Sequence, residues 1–241
     1  MDLSFYINEY ITKLLSDMKV GLIDVDGHNF PNIALMKISA YHKAINDTVE
    51  WYSPFEDYDT VYLSKVFSFS EDYKLPINAI RSIIYGGTGY QINNINGVEY
   101  FRHNPGITFL SPYEPKVLFN AKLPYCIESQ YPDYYIYPNI KDTAFGFLTR
   151  GCPRGCKFCH VGEKEGKRSI KVADLSDFGN GQKNVVLCDP NILACRDWKV
   201  LLQQLIDSKA WIDFNQGLDI RLMDEEKAQM ITDCKIDQIH F

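Results

Sequence analysis

The apolar positions of the chain alternate between the period of strands and the period of helices. In the first half they predict one helix at 32–43 and strands at 20–25, 48–52, 60–67 and 80–85. In the second half they predict helices at 198–209 and 224–234 and strands at 144–148, 184–187, 211–215 and 236–241. This alternation is typical of parallel sheets with helices on their faces. The pattern therefore predicts an α/β fold.

A proline- and tyrosine-rich stretch separates the two halves. Prolines at the density of residues 91–140 exclude long helices and central strands, so we expect an ordered connector that packs through its aromatics. Apolar positions at helical spacing near the start predict a separate N-terminal extension. The predicted organisation is an extension at 1–17, a first α/β domain at 18–100, a connector at 101–143 and a second α/β domain at 144–241.

The composition narrows the class of protein. With 46% hydrophobic and 23% charged residues, the chain is an ordinary globular protein, and no apolar run approaches a membrane span. A net charge of −6 argues against a protein that coats nucleic acid, although a local basic patch for RNA stays open. Seven cysteines without an export signal indicate a reducing cytoplasm, where metal ligation is favoured over disulfides.

The residues best suited to binding a metal lie in one short loop after the strand predicted at 144–148. Cys152, Cys156 and Cys159 are spaced C-x3-C-x2-C, with Phe158 before the last cysteine. A strand that feeds such a loop can hold three thiolates on one side of a metal centre, and thiolates are the usual ligands of iron–sulfur clusters. Unrelated thiols and a zinc site are the alternatives. Zinc would need a fourth ligand, for which the candidates are His160, Cys188 and Cys195.

This loop resembles the cluster loop of the radical S-adenosylmethionine (SAM) superfamily, where it follows the first strand of a partial (βα) barrel. The resemblance implies that residues 144–241 form the N-terminal part of such a barrel and that the three cysteines bind a 4Fe–4S cluster. The open iron would take the amino and carboxylate groups of SAM, and one electron would cleave SAM to methionine and a 5′-deoxyadenosyl radical. An electron donor such as flavodoxin or ferredoxin is also implied. The substrate is not specified by fold or cluster.

Polar residues at the carboxyl ends of the predicted barrel strands are the candidate SAM ligands. Asp189 and Asn191 lie in a segment that resembles the D-x-N stretch of several radical SAM subgroups, and would hold the SAM amino group or the substrate. Arg221 is suited to the SAM carboxylate, and Asp219 to a hydroxyl or amine. A salt bridge at the barrel rim is the alternative for these two residues. Phe158 completes the predicted set.

The first domain resembles the cobalamin-binding Rossmann-like domain. That family has the motifs D-x-H-x-x-G, S-x-L and G-G after successive strands, and its histidine ligates cobalt. Here Asp26 and His28 follow the first strand, Ser64 ends a later one, and Gly86 and Gly87 follow another. The resemblance implies a Rossmann-like parallel sheet and makes His28, Ser64, Gly86 and Gly87 a candidate cobalamin site.

Two positions depart from the cobalamin pattern. Pro31 stands where the first motif has glycine, and Val66 where the second has leucine. A rigid proline would obstruct the channel for the nucleotide tail of the cofactor. Cobalamin-dependent methyl transfer and cobalamin-free hydrogen abstraction therefore both stay open.

The predicted barrel stops after its fourth strand. A superfamily barrel continues for further βα units, and a strand at 236–241 would leave an unpaired apolar edge. We therefore expect either a fragment of a longer protein or a barrel completed by another chain. A radical SAM enzyme is the leading hypothesis. The others are a non-catalytic zinc or iron–sulfur module and an RNA-binding or RNA-modifying role.

Overall fold

The computed structural model describes residues 17–27, 30–76, 80–95, 98–101, 107–108, 116–120, 122–140 and 142–241. These residues form two compact units, one from the residues up to 27 together with 37–128, and one from 30–36 together with 129–241. The predicted extension, apart from Asp17, and His28 lie outside the described residues. No helix that the structure describes has both the length and the apolar character needed to cross a membrane.

The first unit is built on a six-stranded sheet in the order β2-β1-β3-β4-β8-β7. All neighbouring strands are parallel except β7, which is antiparallel to β8. The elements are β1 (Lys19–Asp24), α1 (Ile33–Ala44), β2 (Thr48–Trp51), β3 (Tyr58–Ser64), β4 (Ile80–Gly86), β7 (Ile107–Thr108) and β8 (Lys116–Asn120), with an antiparallel hairpin of β5 (Ile92–Ile95) and β6 (Val98–Phe101). Val20 and Leu22 are fully buried, as expected of a central parallel strand.

The second unit holds a four-stranded parallel sheet in the order β9-β12-β13-β14. Its elements are β9 (Thr143–Gly146), β10 (Thr149–Arg150), α3 (Val161–Lys164), β11 (Ile170–Lys171), β12 (Asn184–Leu187), α4 (Trp198–Ser208), β13 (Trp211–Phe214), α5 (Glu225–Asp233) and β14 (Lys235–Ile239). Strands that pair in this sheet follow one another in chain order. Helix α4 connects β12 to β13, and helix α5 connects β13 to β14. The predicted α/β class and parallel pairing are therefore confirmed.

Helices α4 and α5 cover one face of this second sheet. Leu201, Leu202 and Leu205 of α4 are buried against Val185 and Ile212 of the strands. These leucines recur at helical spacing, so one stripe of α4 faces the sheet. Alternate strand residues supply the other half of the core, which fixes the register of the strands and the position of their carboxyl ends.

The connector differs from its prediction in one respect. Strand β8 lies inside residues 101–143 and is a central strand, between β4 and β7. The five residues of β8 contain no proline, although Pro115 and Pro124 stand close to either side. Proline density measured over fifty residues conceals a short proline-free strand of this kind. The predicted domain boundaries stay a prediction.

The last part of the connector packs on the second sheet through an aromatic residue. It forms two 3-10 turns, Tyr134–Ile136 and Pro138–Ile140, and follows α2 (Tyr125–Glu128), which belongs to the first unit. The Tyr134 hydroxyl donates to the Phe178 carbonyl oxygen (2.6 Å) and accepts from the Phe145 amide (3.0 Å). Tyr134 thereby satisfies a backbone donor of β9 at the edge of the sheet.

Candidate cofactor site

A two-stranded hairpin frames the cysteine loop. Strands β10 and β11 pair antiparallel on either side of residues 151–169, and the Cys152 amide donates to the Gly166 carbonyl oxygen (3.1 Å). The Glu165 carboxylate accepts from Arg150 Nη1 (2.8 Å) and from the Gly151 amide (3.2 Å). Glu165 therefore fixes the point at which the chain leaves β10, and with it the position of Cys152.

Gly151 occupies a position that a side chain cannot share. Its φ is +82°, and a Cβ there would lie 2.2 Å from the Arg168 carbonyl oxygen. Gly151→Ala is expected to lower the free energy of unfolding by roughly 1–3 kcal/mol, because the left-handed backbone and the clash both strain the loop. The matched control is Gly155→Ala, since a Cβ at Gly155 meets nothing within 4 Å. Equal urea midpoints for the two variants would contradict the assigned loop geometry.

The three cysteines lie on one loop but at different depths. Cys152 is buried, Cys156 is half-buried and Cys159 is exposed, as is Phe158, whose side chain is 86% exposed. The Cys159 amide donates to the Cys156 carbonyl oxygen (3.0 Å), which closes a tight turn between the last two thiols. A depression of about 370 Å³ is lined by residues 153–156. The loop thus has open space between its first and second cysteines.

Asp189 holds the turn that leads into this loop. Its carboxylate accepts from the Leu148 amide (3.0 Å), the Thr149 amide (2.5 Å) and Thr149 Oγ1 (2.6 Å). The side chain is buried, only 4% of Asp189 being exposed. Three donors converge on this one carboxylate, so the carboxyl end of β12 sets the path of the chain before Cys152. The predicted contact of Asp189 with SAM stays a prediction.

Burial raises the pKa of Asp189 to about 6, against the hydrogen bonds from Thr149 and Leu148 that favour the ionised form. The folded chain then holds a proton that the unfolded chain, with a pKa near 3.8, releases earlier. The free energy of unfolding is expected to fall as the pH rises from about 4 to about 6. Urea titrations of wild type and Asp189→Asn across that range measure the effect, and a slope retained by the variant would contradict it.

Asn191 and Asp219 bring the ends of two more strands to Cys152. Asn191 Nδ2 lies 3.5 Å from Cys152 Sγ and 3.5 Å from Asp219 Oδ2. Asp219 also faces two arginines, since its Oδ2 lies 3.6 Å from Arg154 Nε and its Oδ1 lies 2.7 Å from Arg221 Nε. Sequence reasoning grouped Asn191, Asp219 and Arg221 correctly at one edge of the sheet. The contacts of Asn191 with Cys152 and of Asp219 with Arg154 were not predicted.

The side-chain oxygen of Asn191 is unusual for a buried polar atom. Asn191 is 2% exposed, and its Oδ1 has no hydrogen-bond partner among the described residues. A buried amide oxygen without a donor is costly in a folded protein. Such an atom beside a buried thiol fits a ligand that brings its own N–H donor.

The predicted rim salt bridge is present at Arg221. Its guanidinium bonds the Asp219 carboxylate, and its side chain is exposed. A guanidinium carries five N–H donors, so this pairing leaves donors for a second carboxylate. A contact of Arg221 with the SAM carboxylate therefore stays a prediction that the geometry allows.

The candidate fourth ligands for zinc are placed differently from one another. Cys188 and Cys195 are buried, and Cys195 belongs to the hydrophobic core of the second unit. Burial raises the pKa of the Cys188 thiol to about 12, which disfavours the thiolate that a metal requires. His160 is half-buried and occupies the N-cap position of α3 without a capping hydrogen bond from its side chain. Buried cysteines of this kind are core residues rather than ready ligands.

The described residues contain no group of three or more His, Cys, Asp or Glu side chains gathered as a metal site. The donor set nevertheless fits an iron–sulfur cluster. Three thiols lie on one loop, Cys156 lines the depression next to Gly155, and a buried amide N–H points at the first sulfur. Thiolate ligands with N–H donors to sulfur are the environment that such clusters take in proteins.

The cobalamin-like positions of the first unit lie at adjacent strand ends. Ser64 ends β3 and is paired in register with Gly86, the last residue of β4. Gly87 has φ of +93°, and a Cβ there would lie 2.2 Å from the Lys65 carbonyl oxygen. Glycine is therefore required at position 87, because a side chain there would collide with the backbone at Lys65. His28 lies outside the described residues, so its role as a cobalt ligand stays a prediction.

Asp26 has a structural role that its place in the D-x-H motif did not indicate. Its carboxylate accepts from the Val66 amide (3.0 Å), the Phe67 amide (2.8 Å) and Ser70 Oγ (3.0 Å). The loop after β3 is thus held by a carboxylate from the loop after β1. Lys65 is also buried, and its ammonium contacts the Asp72 carboxylate, the Ser70 carbonyl oxygen and the Tyr90 ring.

The fold is similar to that of a solved structure. The structure of the radical S-adenosylmethionine methyltransferase TsrM from Kitasatospora setae, with cobalamin and a 4Fe–4S cluster bound, matches with a TM-score of 0.55 and 10% sequence identity. The match covers 92% of this chain and 58% of that chain. The chain has a Rossmann-like sheet followed by part of a radical SAM fold. At this identity the likeness concerns the fold alone.

The chain thus spans little more than half the length of that methyltransferase. No protein-family model matches the sequence, and no curated protein matches it. Along the chain β9 is the first strand of the second sheet, so the cysteine loop, Asn191 and Asp219 all follow the carboxyl ends of its strands. This is the edge at which (βα) folds carry their active sites.

Proposed function

We propose that the chain is a radical SAM enzyme whose Cys152, Cys156 and Cys159 hold a 4Fe–4S cluster. One observation carries the proposal: the C-x3-C-x2-C loop lies beyond the carboxyl end of the first strand of the parallel sheet, Asn191 from the next strand end contacts Cys152, and Asp219 from the following strand end contacts Asn191. Asn191 Nδ2 is 3.5 Å from Cys152 Sγ, and Asp219 Oδ2 is 3.5 Å from the same amide nitrogen. Asn191 therefore links the cysteine loop to the segment that follows the third strand.

Each residue of the proposed site would have a separate role. The three thiolates would bind three irons, and Glu165 and Asp189 fix the two ends of the turn that presents Cys152. The open Oδ1 of Asn191 would accept from the SAM amino group, and Arg221 would donate to the SAM carboxylate. When bound, such a cluster supplies one electron that breaks a carbon–sulfur bond of SAM to give methionine and a 5′-deoxyadenosyl radical.

Anaerobic reconstitution with iron and sulfide tests the proposal. We expect the dithionite-reduced protein to give a 4Fe–4S EPR signal that changes on addition of SAM, because SAM binds the iron that lacks a cysteine. 5′-Methylthioadenosine serves as a control, since it lacks the amino and carboxylate groups that would bind the open iron. A cluster signal indifferent to SAM would contradict the open iron. Stoichiometric zinc in place of iron would favour the non-catalytic metal module instead.

Asn191 is expected to tune the reduction potential of the cluster. Hydrogen bonds to ligand sulfurs stabilise the reduced, more negative state, so their removal lowers the potential. Asn191→Leu removes the Nδ2 donor 3.5 Å from Cys152 Sγ while keeping a similar volume. An EPR-monitored redox titration should show a more negative midpoint than wild type. Gln203→Leu on the exposed face of α4 is the control, and an identical shift in both variants would contradict this role.

Cobalamin-dependent methyl transfer is a second candidate reaction. It is favoured by the register of Ser64 with Gly86 at the carboxyl edge of the first sheet, and by the cobalamin in the TsrM structure. Hydroxocobalamin mixed with the chain and separated by gel filtration tests it. Co-elution of corrinoid absorbance, and its loss in His28→Ala, would support methyl transfer. Corrinoid that elutes only with the small molecules would leave the cobalamin-free reaction.

A further inference from the structure

One carboxylate of the second sheet lies on the face away from the helices. Ile212 and Phe214 of β13 are buried in the core that includes the leucines of α4. Asp213 stands between them in sequence, and successive side chains of a strand point to opposite faces, so Asp213 belongs to the other face of the sheet. It is the last residue but one of β13. Asp213 therefore lies near the carboxyl edge that carries the candidate cofactor site.

One oxygen of this carboxylate has no donor. Asp213 is half-buried as a whole, and its Oδ1 is buried without a hydrogen-bond partner among the described residues. Burial raises the pKa of Asp213, while the nearby His240 opposes this shift and the Asp237 carboxylate adds to it. A carboxylate oxygen without a donor destabilises the folded chain. A group that the fold keeps at such a cost is expected at a binding site.

An irregularity of the sheet coincides with Asp213. Strands β13 and β14 pair Ile212 with Ile236 but Asp213 with Gln238, so Asp237 is an extra residue in β14. A β-bulge of this kind re-aims the side chains around it, and bulges are frequent beside active sites. The sheet thus departs from regular pairing at the residue whose oxygen is unpaired.

The residues beside Asp213 on its face are polar on one side and apolar on the other. The exposed Gln238 of β14 and the half-buried Val186 of β12 both lie in register with Asp213. Val186 in turn lies in register with the buried Phe145 of β9. Neighbouring strands are about 4.8 Å apart, so an apolar surface begins about 5 Å from the carboxylate. Because Gln238 is exposed, a ligand can reach this part of the face from solvent.

Asp213 lies within electrostatic range of the candidate cofactor site. Burial is the main cause that raises the pKa of the Cys188 thiol, and the Asp189 and Asp213 carboxylates add to it. Asp189 in turn holds the turn that leads to Cys152. A group bound at Asp213 would therefore lie close to the residues proposed to bind the cluster and SAM.

We infer that Asp213 binds an ammonium group of the substrate, whose apolar body lies against Val186. The inference rests on the proposed function, since it names the substrate class of that enzyme. An ammonium donates to the unpaired oxygen and favours the ionised carboxylate, and the adjacent charge of Asp237 favours a cation over a neutral donor. The two carboxylate oxygens exchange places by rotation about χ2, a soft torsion, so either can meet a group that enters from solvent.

Binding of n-pentylammonium to the full chain tests the inference, with 1-pentanol as the neutral probe of the same shape. NMR titrations measure both affinities. We expect the ammonium to bind about fivefold more tightly than the alcohol, and Asp213→Asn to weaken ammonium binding about tenfold, because a charge-assisted hydrogen bond is lost. The matched control is Asp207→Asn, which makes the same change of charge at an exposed position of α4 and should leave both affinities unchanged.

Urea unfolding separates binding from a structural role of Asp213. Asp213→Asn removes a buried carboxylate oxygen that has no donor, so its urea midpoint should equal or exceed that of wild type. A lower midpoint would overturn the inference, because the carboxylate would then stabilise the fold instead of awaiting a ligand.

The remaining outcomes separate the ammonium site from the proposed function. Equal affinity of wild type for the two probes, binding of neither, or an equal loss in the Asp213 and Asp207 variants would overturn the site. The titrations are made before and after reconstitution with iron and sulfide. Ammonium binding that depends on Asp213 in a chain that assembles no cluster would overturn the proposed function alone. A cluster that responds to SAM, in a chain that does not distinguish the probes, would overturn the role of Asp213 alone.

Discussion

Serine in place of Cys152, Cys156 or Cys159 is expected to remove most of the iron that the reconstituted chain binds. A serine hydroxyl stays protonated at neutral pH and is a poor ligand for the iron of a cluster, so each variant loses one of three protein ligands. Cys152→Ser should be the most severe. It removes the only buried thiol of the three, together with the acceptor that Asn191 Nδ2 faces at 3.5 Å.

Cys126→Ser is the matched control, because Cys126 is also exposed but lies outside the loop. Iron and sulfide per chain, with the absorbance of the cluster, measure the effect. We expect about a tenfold loss of iron in the loop variants and none in the control, as metal sites fail when one ligand of a minimal set is removed. Equal iron content in all four proteins would overturn the cysteine assignment. Thermal unfolding of the apo-proteins shows whether any loss reflects misfolding.

Alanine in place of Asp189 is expected to lower the free energy of unfolding by roughly 3–5 kcal/mol. The carboxylate receives the Leu148 amide, the Thr149 amide and Thr149 Oγ1 at 2.5–3.0 Å, and the whole residue is 4% exposed. Removing the acceptor leaves these donors buried and unpaired. The turn before Cys152 would lose its anchor, so cluster content should fall together with stability.

Asp207→Ala on α4 provides the comparison, since Asp207 is exposed and accepts only from Gln203 Nε2 at 2.9 Å. Its effect should stay within about 0.5 kcal/mol, the usual range for surface positions. Urea unfolding of the apo-proteins yields both values. A loss below about 1 kcal/mol for Asp189→Ala would show that water replaces the carboxylate, and would refute its role as the anchor of the turn.

Much of the second sheet could be predicted because its strands and helices differ in period. Strand β12 and helix α4 were predicted to within a residue, since Asn184–Leu187 is a short apolar run and α4 has leucines at helical spacing. The strand predicted at 144–148 extends two residues beyond the end of β9 at Gly146. Leu148 is buried and apolar, but its amide binds Asp189 instead of a neighbouring strand. Apolar pattern reports burial and carries no information about which acceptor an amide takes.

The candidate site could be predicted in its membership but not in its connections. Residues at the ends of parallel strands must lie at one edge, which was enough to group Asn191 and Asp219 with the cysteine loop. Which carboxylate faces Arg154, or that Glu165 closes the loop, depends on contacts between distant or weakly patterned positions. A single sequence holds no periodic signal for such pairs. Strand β8 was not predicted because its five proline-free residues lie within a proline-rich stretch.

The order of the strands has a consequence for synthesis in the cell. Cys159 leaves the ribosome 60 residues ahead of Asp219 and 32 ahead of Asn191. At translation rates of about 5–20 residues per second, the thiols precede Asp219 by roughly 3–12 s. During that interval the loop lacks the side chains that meet at Cys152. The nascent thiols are then most open to oxidation, and we expect the proposed cluster to be loaded only after β13 and Asp219 have been translated.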